Sequence, residues 1–68
     1  MAVKQGDIVR TDLGFFKVVF VSRDGCTGVP VVREGPGYRE TSTRPMAIRA
    51  SEVVEVVYPR YSRVRWNP

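Results

Sequence analysis

Residues 1–58 are expected to form a single all-β domain, and three features of the sequence lead there. The apolar residues come in short runs rich in Val, Ile and Phe, and helical periodicity is nearly absent. Turn-forming residues separate those runs, with Gly, Asp, Ser or Pro at almost every break. One stretch alone, Ala50-Ser51-Glu52-Val53, suits a helical turn, and it is a single tight one. A chain of 68 residues makes one domain at most. At this size only about 60% of the unfolded surface is buried on folding, so stability must come from a tight β architecture, self-assembly or a partner.

The elements follow in order. Asp7-Ile8-Val9-Arg10-Thr11 reads as the first strand after Gly6, and Asp12-Leu13-Gly14 as the turn that ends it. Phe15 to Ser22 is the longest and most apolar strand, with Phe16, Val18 and Phe20 on one face and Phe15, Lys17, Val19 and Val21 on the other. Apolar residues on both faces predict that it bends across the core and serves two half-sheets. Arg23 to Gly28 is expected to be a Gly-bearing hairpin turn, with Cys26 as a small residue within it. Val29 to Arg33 is the third strand. Pro30 there cannot donate to a ladder, which marks an edge position or a bulge. Glu34 to Ser42 reads as one long polar loop. Thr43 to Arg49 is the fourth strand, with Met46 and Ile48 inward and Ala47 and Arg49 outward. Ser51 and Glu52 suit the start of the helical turn, where backbone N–H groups need an acceptor. Val54 to Tyr58 is the fifth strand, and Pro59 stops it, so the domain is expected over 1–58 with a tail over 59–68.

Gly6-Asp7-Ile8-Val9-Arg10, Gly14 ahead of the long second strand, and Ile48-Arg49-Ala50-Ser51-Glu52-Val53-Val54-Glu55-Val56 together resemble the SH3-like small barrel. The resemblance implies an all-β, five-stranded SH3-like barrel with a one-turn helix before the last strand and a basic C-terminal extension. Folds with this look include ribosomal and transcription-factor KOW domains, a photosystem I accessory subunit, Tudor-like readers and the type II dihydrofolate reductases. Two departures bear on function. Where KOW domains carry a second glycine that meets RNA, this chain has Lys17-Val18-Val19. Where the type II reductases place Gln and Tyr in a shared pore, the equivalent positions are Ala47 and Arg49, which removes the groups that resemblance would assign to folate.

Composition excludes the commonest chemistries. There is no histidine, the usual general base and zinc ligand, and one cysteine forms neither an intramolecular disulfide nor a structural zinc site. The seven carboxylates are scattered over turns and strand exteriors, with no pair spaced for shared acid–base work. The expectation is a protein that is not an enzyme and uses no cofactor or metal. The N-terminus has no apolar signal region, no run approaches the ~20 residues of a membrane span, and the lone thiol suits a reducing compartment. A cytoplasmic location is expected.

Charge points to a partner. Residues 1–57 hold eight Lys and Arg against seven Asp and Glu, so most of the net +4 comes from Arg60, Arg63 and Arg65, which alternate with Tyr61 and Trp66. Guanidiniums that neutralise phosphate beside rings that stack on bases suit single-stranded nucleic acid or structured RNA. Tyr38, Arg39 and Arg44 make a second contact loop, and Arg49 with Lys17 and Arg33 adds charge on the domain itself. The same tail also reads as a sixth strand, Ser62 to Trp66, that packs Val64 and Trp66 on the domain or a neighbouring copy. The leading expectation is a non-catalytic nucleic-acid-binding module. The rival is an accessory subunit that docks on a protein or self-assembles, and a lesser one captures a small molecule or nucleotide in an oligomer pore.

Overall fold

The structure, a computed structural model, describes residues 3–58, with Tyr58 through its backbone. Six antiparallel strands follow in chain order: β1 (Ile8–Thr11), β2 (Gly14–Val21), β3 (Gly25–Glu34), β4 (Gly37–Glu40), β5 (Met46–Arg49) and β6 (Glu55–Tyr58). A single 3-10 turn, Ala50–Glu52, joins β5 to β6. The sheet runs β4-β3-β2-β1-β6, and β5 also pairs with β3. Its ends stay open: among the described residues no ladder joins β6 to β4 or β5.

The first hairpin forms as expected. Thr11 stands opposite Gly14, and its buried hydroxyl accepts from the Leu13 N–H while donating to the Gly14 carbonyl, which closes the Asp12–Leu13 turn. Ahead of β1, Lys4 to Asp7 makes a turn closed by Asp7 N–H to Lys4 O (3.1 Å), with Gly6 at φ 94. That φ at the third turn position suits glycine and little else.

β3 is longer than the sequence suggests. Residues 25–28 are strand, so the expected turn contracts to Ser22–Gly25, and Cys26 is a buried core residue paired with Ile48 rather than a turn residue. Four residues of β3 find a partner in β5, and a paired Cys-Thr segment no longer reads as a turn. The polar loop 34–42 likewise contains β4, because Gly35 at φ 59 turns the chain back and lets Tyr38 pair with Arg33. There are therefore six strands where five were expected. Pro30 sits on a strand paired on both sides, at the gap where one edge of β3 changes partner from β5 (through Gly28) to β4 (from Val31). Locally that is the edge position its missing N–H requires.

The main packed cluster lies on one face of the sheet, while Ile8, Val29 and Val31 are buried on the other. Val3, Val9, Phe16, Val18, Cys26, Ile48 and Val56 pack together, with Val21 and Val53 against them. Phe20 was expected to join Phe16 and Val18 but is 63% exposed. The cause is a bulge: Val18 faces Gly28 and Phe20 faces Thr27, so Val19 is an extra residue. One inserted residue inverts the alternation, which sends Phe20 out and brings Val21 in. Met46, also expected inward, is exposed at the start of β5, and Ile48 alone from that strand enters the core.

The 3-10 turn is held by Glu52, whose carboxylate accepts the Arg49 N–H (2.8 Å). This is the reciprocal half of a capping box, and Glu52 is one of the two acceptors expected from the sequence. No helix among the described residues is long and apolar enough to cross a membrane.

Candidate functional site

Residues directly opposite one another in an antiparallel pair share a face, and this assigns the outer face of the sheet. Arg10 opposes Phe15, Phe15 opposes Val31, and Val31 opposes Glu40. In the next rows Ile8, Lys17 and Val29 align, as do Arg33 and Tyr38. Past the bulge, Phe20, Thr27 and Ala47 form another row, followed by Gly25 with Arg49. The face opposite the core therefore carries Phe15, Phe20 and Tyr38 together with Arg10, Lys17, Arg33 and Arg49.

Two bridges cross β3 on this face. The Phe15 and Tyr38 rings, from the strands on either side, meet at 5.7 Å between centroids, tilted by 57°. Lys17 and Glu40 form an ion pair (3.7 Å) across the same strand. Both bridges span β3 on the face where Ile8, Val29 and Val31 are buried. A tilted ring pair at this distance contributes about 0.5–1.5 kcal/mol beyond area burial. The exposed ion pair contributes less.

Arg10, Phe15, Arg33, Tyr38, Glu55 and Val57 line an open groove of about 270 Å³. In it the Arg10 Nε donates to Glu55 (2.9 Å), whereas Arg33 forms no ion pair with any described residue. Tyr38 also lines a second groove, of about 390 Å³, with Ile8, Lys17, Pro36 and the glycines Gly6 and Gly37.

The expected contact loop divides. Tyr38 faces outward with Arg33, but Arg39 is its neighbour on a strand and so points to the opposite face, where it pairs with Glu34. Arg44 is exposed in the segment before β5, where its backbone N–H donates to the Ser42 hydroxyl. Arg49 stands at the end of β5 on the outer face. Neither Arg44 nor Arg49 is ion-paired to a described residue. Arg60, Tyr61, Arg63, Arg65 and Trp66 lie outside the described residues, as does the sixth strand proposed over Ser62 to Trp66. β6 ends at Tyr58 opposite Ile8, a residue that lines the 390 Å³ groove.

Sequence reading missed Phe15 and Phe20 as surface rings. The alternation of β2 could have found Phe15, but the inserted Val19 conceals Phe20.

Most acidic side chains are engaged. Glu34, Glu40 and Glu55 are in ion pairs and Glu52 holds the 3-10 turn. Asp7 is 1% exposed and accepts the Lys4 N–H (2.9 Å). Burial raises its pKa, opposed by that hydrogen bond and by the Lys4 charge. Burial also pushes the Cys26 thiol up to about 11, far from reactive thiolate. Among the described residues no three His, Cys, Asp or Glu side chains are grouped to hold a metal ion. What the outer face offers is stacking surface and anion attraction, with an excess of two positive charges over Glu40 and Glu55. No protein-family model matches the chain, and no curated protein or solved structure matches it either.

Proposed function

We propose that the chain is a non-catalytic SH3-like binding module that contacts nucleic acid with the outer face of its sheet and the basic aromatic segment Arg60–Trp66. One observation carries this reading: three aromatic rings and four cations share the face opposite the core, and the sequence continues beyond β6 into three more arginines and two more rings. Rings of this kind stack on bases without sequence preference, and guanidiniums bind phosphate oxygens as a fork. The SH3-like assignment is supported by β6 returning to β1 after a 3-10 turn.

A second reading, docking on a protein or on another copy, is favoured by the edges at β6 and along β4 and β5, which pair with no further strand among the described residues and suit an added one.

Fluorescence anisotropy of labelled oligonucleotides at about 50 and 300 mM salt tests the first reading. The three tail arginines with Lys17, Arg33 and Arg49 would neutralise six phosphates, which gives a log–log salt slope of about −4.2 for a single strand. Replacing Arg60, Arg63 and Arg65 by Ser should bring the slope to about −2.1. Affinity that does not change with salt overturns the phosphate mechanism.

A further inference from the structure

The placement of the rings on the outer face suggests how a ligand would lie there, and the inference rests on the nucleic-acid reading above. We infer that the occupant is an extended single strand of about three to five nucleotides that runs along β2, stacked at one end on the Phe15–Tyr38 pair and at the other on Phe20. Phe15 and Phe20 stand on one strand, five residues apart, at a separation of about 16 Å less the shortening at the Val19 bulge. Stacked nucleotides advance ~3.4 Å each, so about five span that distance, and fewer do when the strand is stretched.

Cations lie at intervals that match such a path. Arg33 stands beside Tyr38, Lys17 lies between the platforms, and Arg49 lies beyond the Phe20–Thr27–Ala47 row. Arg33 and Arg49 have no ion-pair partner among the described residues, so phosphate binding breaks nothing there. Lys17 would exchange Glu40 for phosphate, a small loss for an exposed pair.

Phe20 is the decisive residue. A ring 63% exposed on a sheet face is not accounted for by core packing among the described residues. The bulge that turns it outward also places it on the face that carries the cations, rather than on a neutral one. Duplex cannot use these platforms, because its base faces are already stacked on one another. Only an unpaired strand can offer them to Phe15, Tyr38 and Phe20.

The test uses the full chain, oligothymidylates of two to ten nucleotides and a blunt duplex of matched charge. Affinity should climb steeply up to about five nucleotides and then level off, with the duplex much weaker. Phe20→Ala should lower affinity about 5- to 150-fold for the longer single strands and leave the dinucleotide unchanged, while Phe20→Tyr restores it. Because Phe20 is outside the core, circular dichroism should show the same fold for both variants. If single strands bind and Phe20→Ala changes nothing, the path along β2 is wrong while the nucleic-acid reading stands. If no oligonucleotide binds the wild type, both fail. If light scattering shows that Phe20→Ala dissolves a dimer, the ring belongs to a contact between copies and the path is overturned.

Discussion

Replacing Gly25 by Ala probes the closest approach in the sheet. Gly25 opens β3 opposite Arg49, and its φ is not in the left-handed region, so glycine is needed there for space and not for conformation. A Cβ at this position would stand 2.0 Å from the Ile48 carbonyl oxygen and 3.0 Å from the Arg49 Cα. Both are backbone atoms, so no side chain can swing aside. β5 must move away by more than ~1 Å, an estimate from ordinary van der Waals spacing. That movement breaks the end of the β3–β5 ladder and strains the Ala50 N–H to Asp24 O bond (2.9 Å) that seats the 3-10 turn. Two weakened hydrogen bonds cost about 1 kcal/mol each and overpacking about 1–3 kcal/mol. Reduced freedom of the unfolded chain returns about 0.4–1 kcal/mol. The net expectation is a loss of about 2–4 kcal/mol. For a chain of this length total stability is about 3–10 kcal/mol, so the melting temperature should fall by roughly 10–25 °C. Urea and thermal unfolding followed by far-ultraviolet circular dichroism measure it. Gly37→Ala is the control: a Cβ there meets nothing within 4 Å and the φ is not positive, so stability should stay within about 0.5 kcal/mol of wild type. If Gly25→Ala behaves like Gly37→Ala, the close packing of β5 on β3 is refuted.

Two further predictions concern buried groups that titrate. Cys26 is 4% exposed with its pKa pushed up to about 11, so a thiol reagent at pH 8 should label it only as fast as the domain opens, and mild urea should speed labelling. Rapid labelling of the native protein would contradict its place in the core. Asp7 has a folded pKa above its ordinary 3.8, chiefly from burial. Its contribution is full below 3.8 and declines as pH rises through the folded value, because a buried carboxyl must then ionise. Asp7→Asn keeps an acceptor for the Lys4 N–H and removes the charge. It should flatten the pH dependence of stability above pH ~4 and leave the protein at least as stable as wild type at pH 7. An Asn variant destabilised more at pH 7 than at pH 3.5 would show that the ionised carboxylate is net stabilising.

The all-β class, β1, β2, the single turn after β5 and the existence of the last strand could be read from the sequence, because short-range signals set them. β-branched runs, Gly14 after Asp12-Leu13 and the Glu52 carboxylate all act within a few residues. Other features needed the tertiary structure, since each depends on which strand lies alongside. Gly25 to Gly28 carry turn chemistry locally, yet β5 provides a partner that holds them extended. Tyr38 and Arg39 look like one recognition loop until pairing with β3 makes a strand of it and sends them to opposite faces. Phe20 reads as core by alternation, and only the register of β2 against β3 reveals the inserted Val19. Local sequence therefore determined the class, the charge and most of the elements. Long-range pairing decided the register, and a shift of one residue in register decided which rings and cations share the outer face.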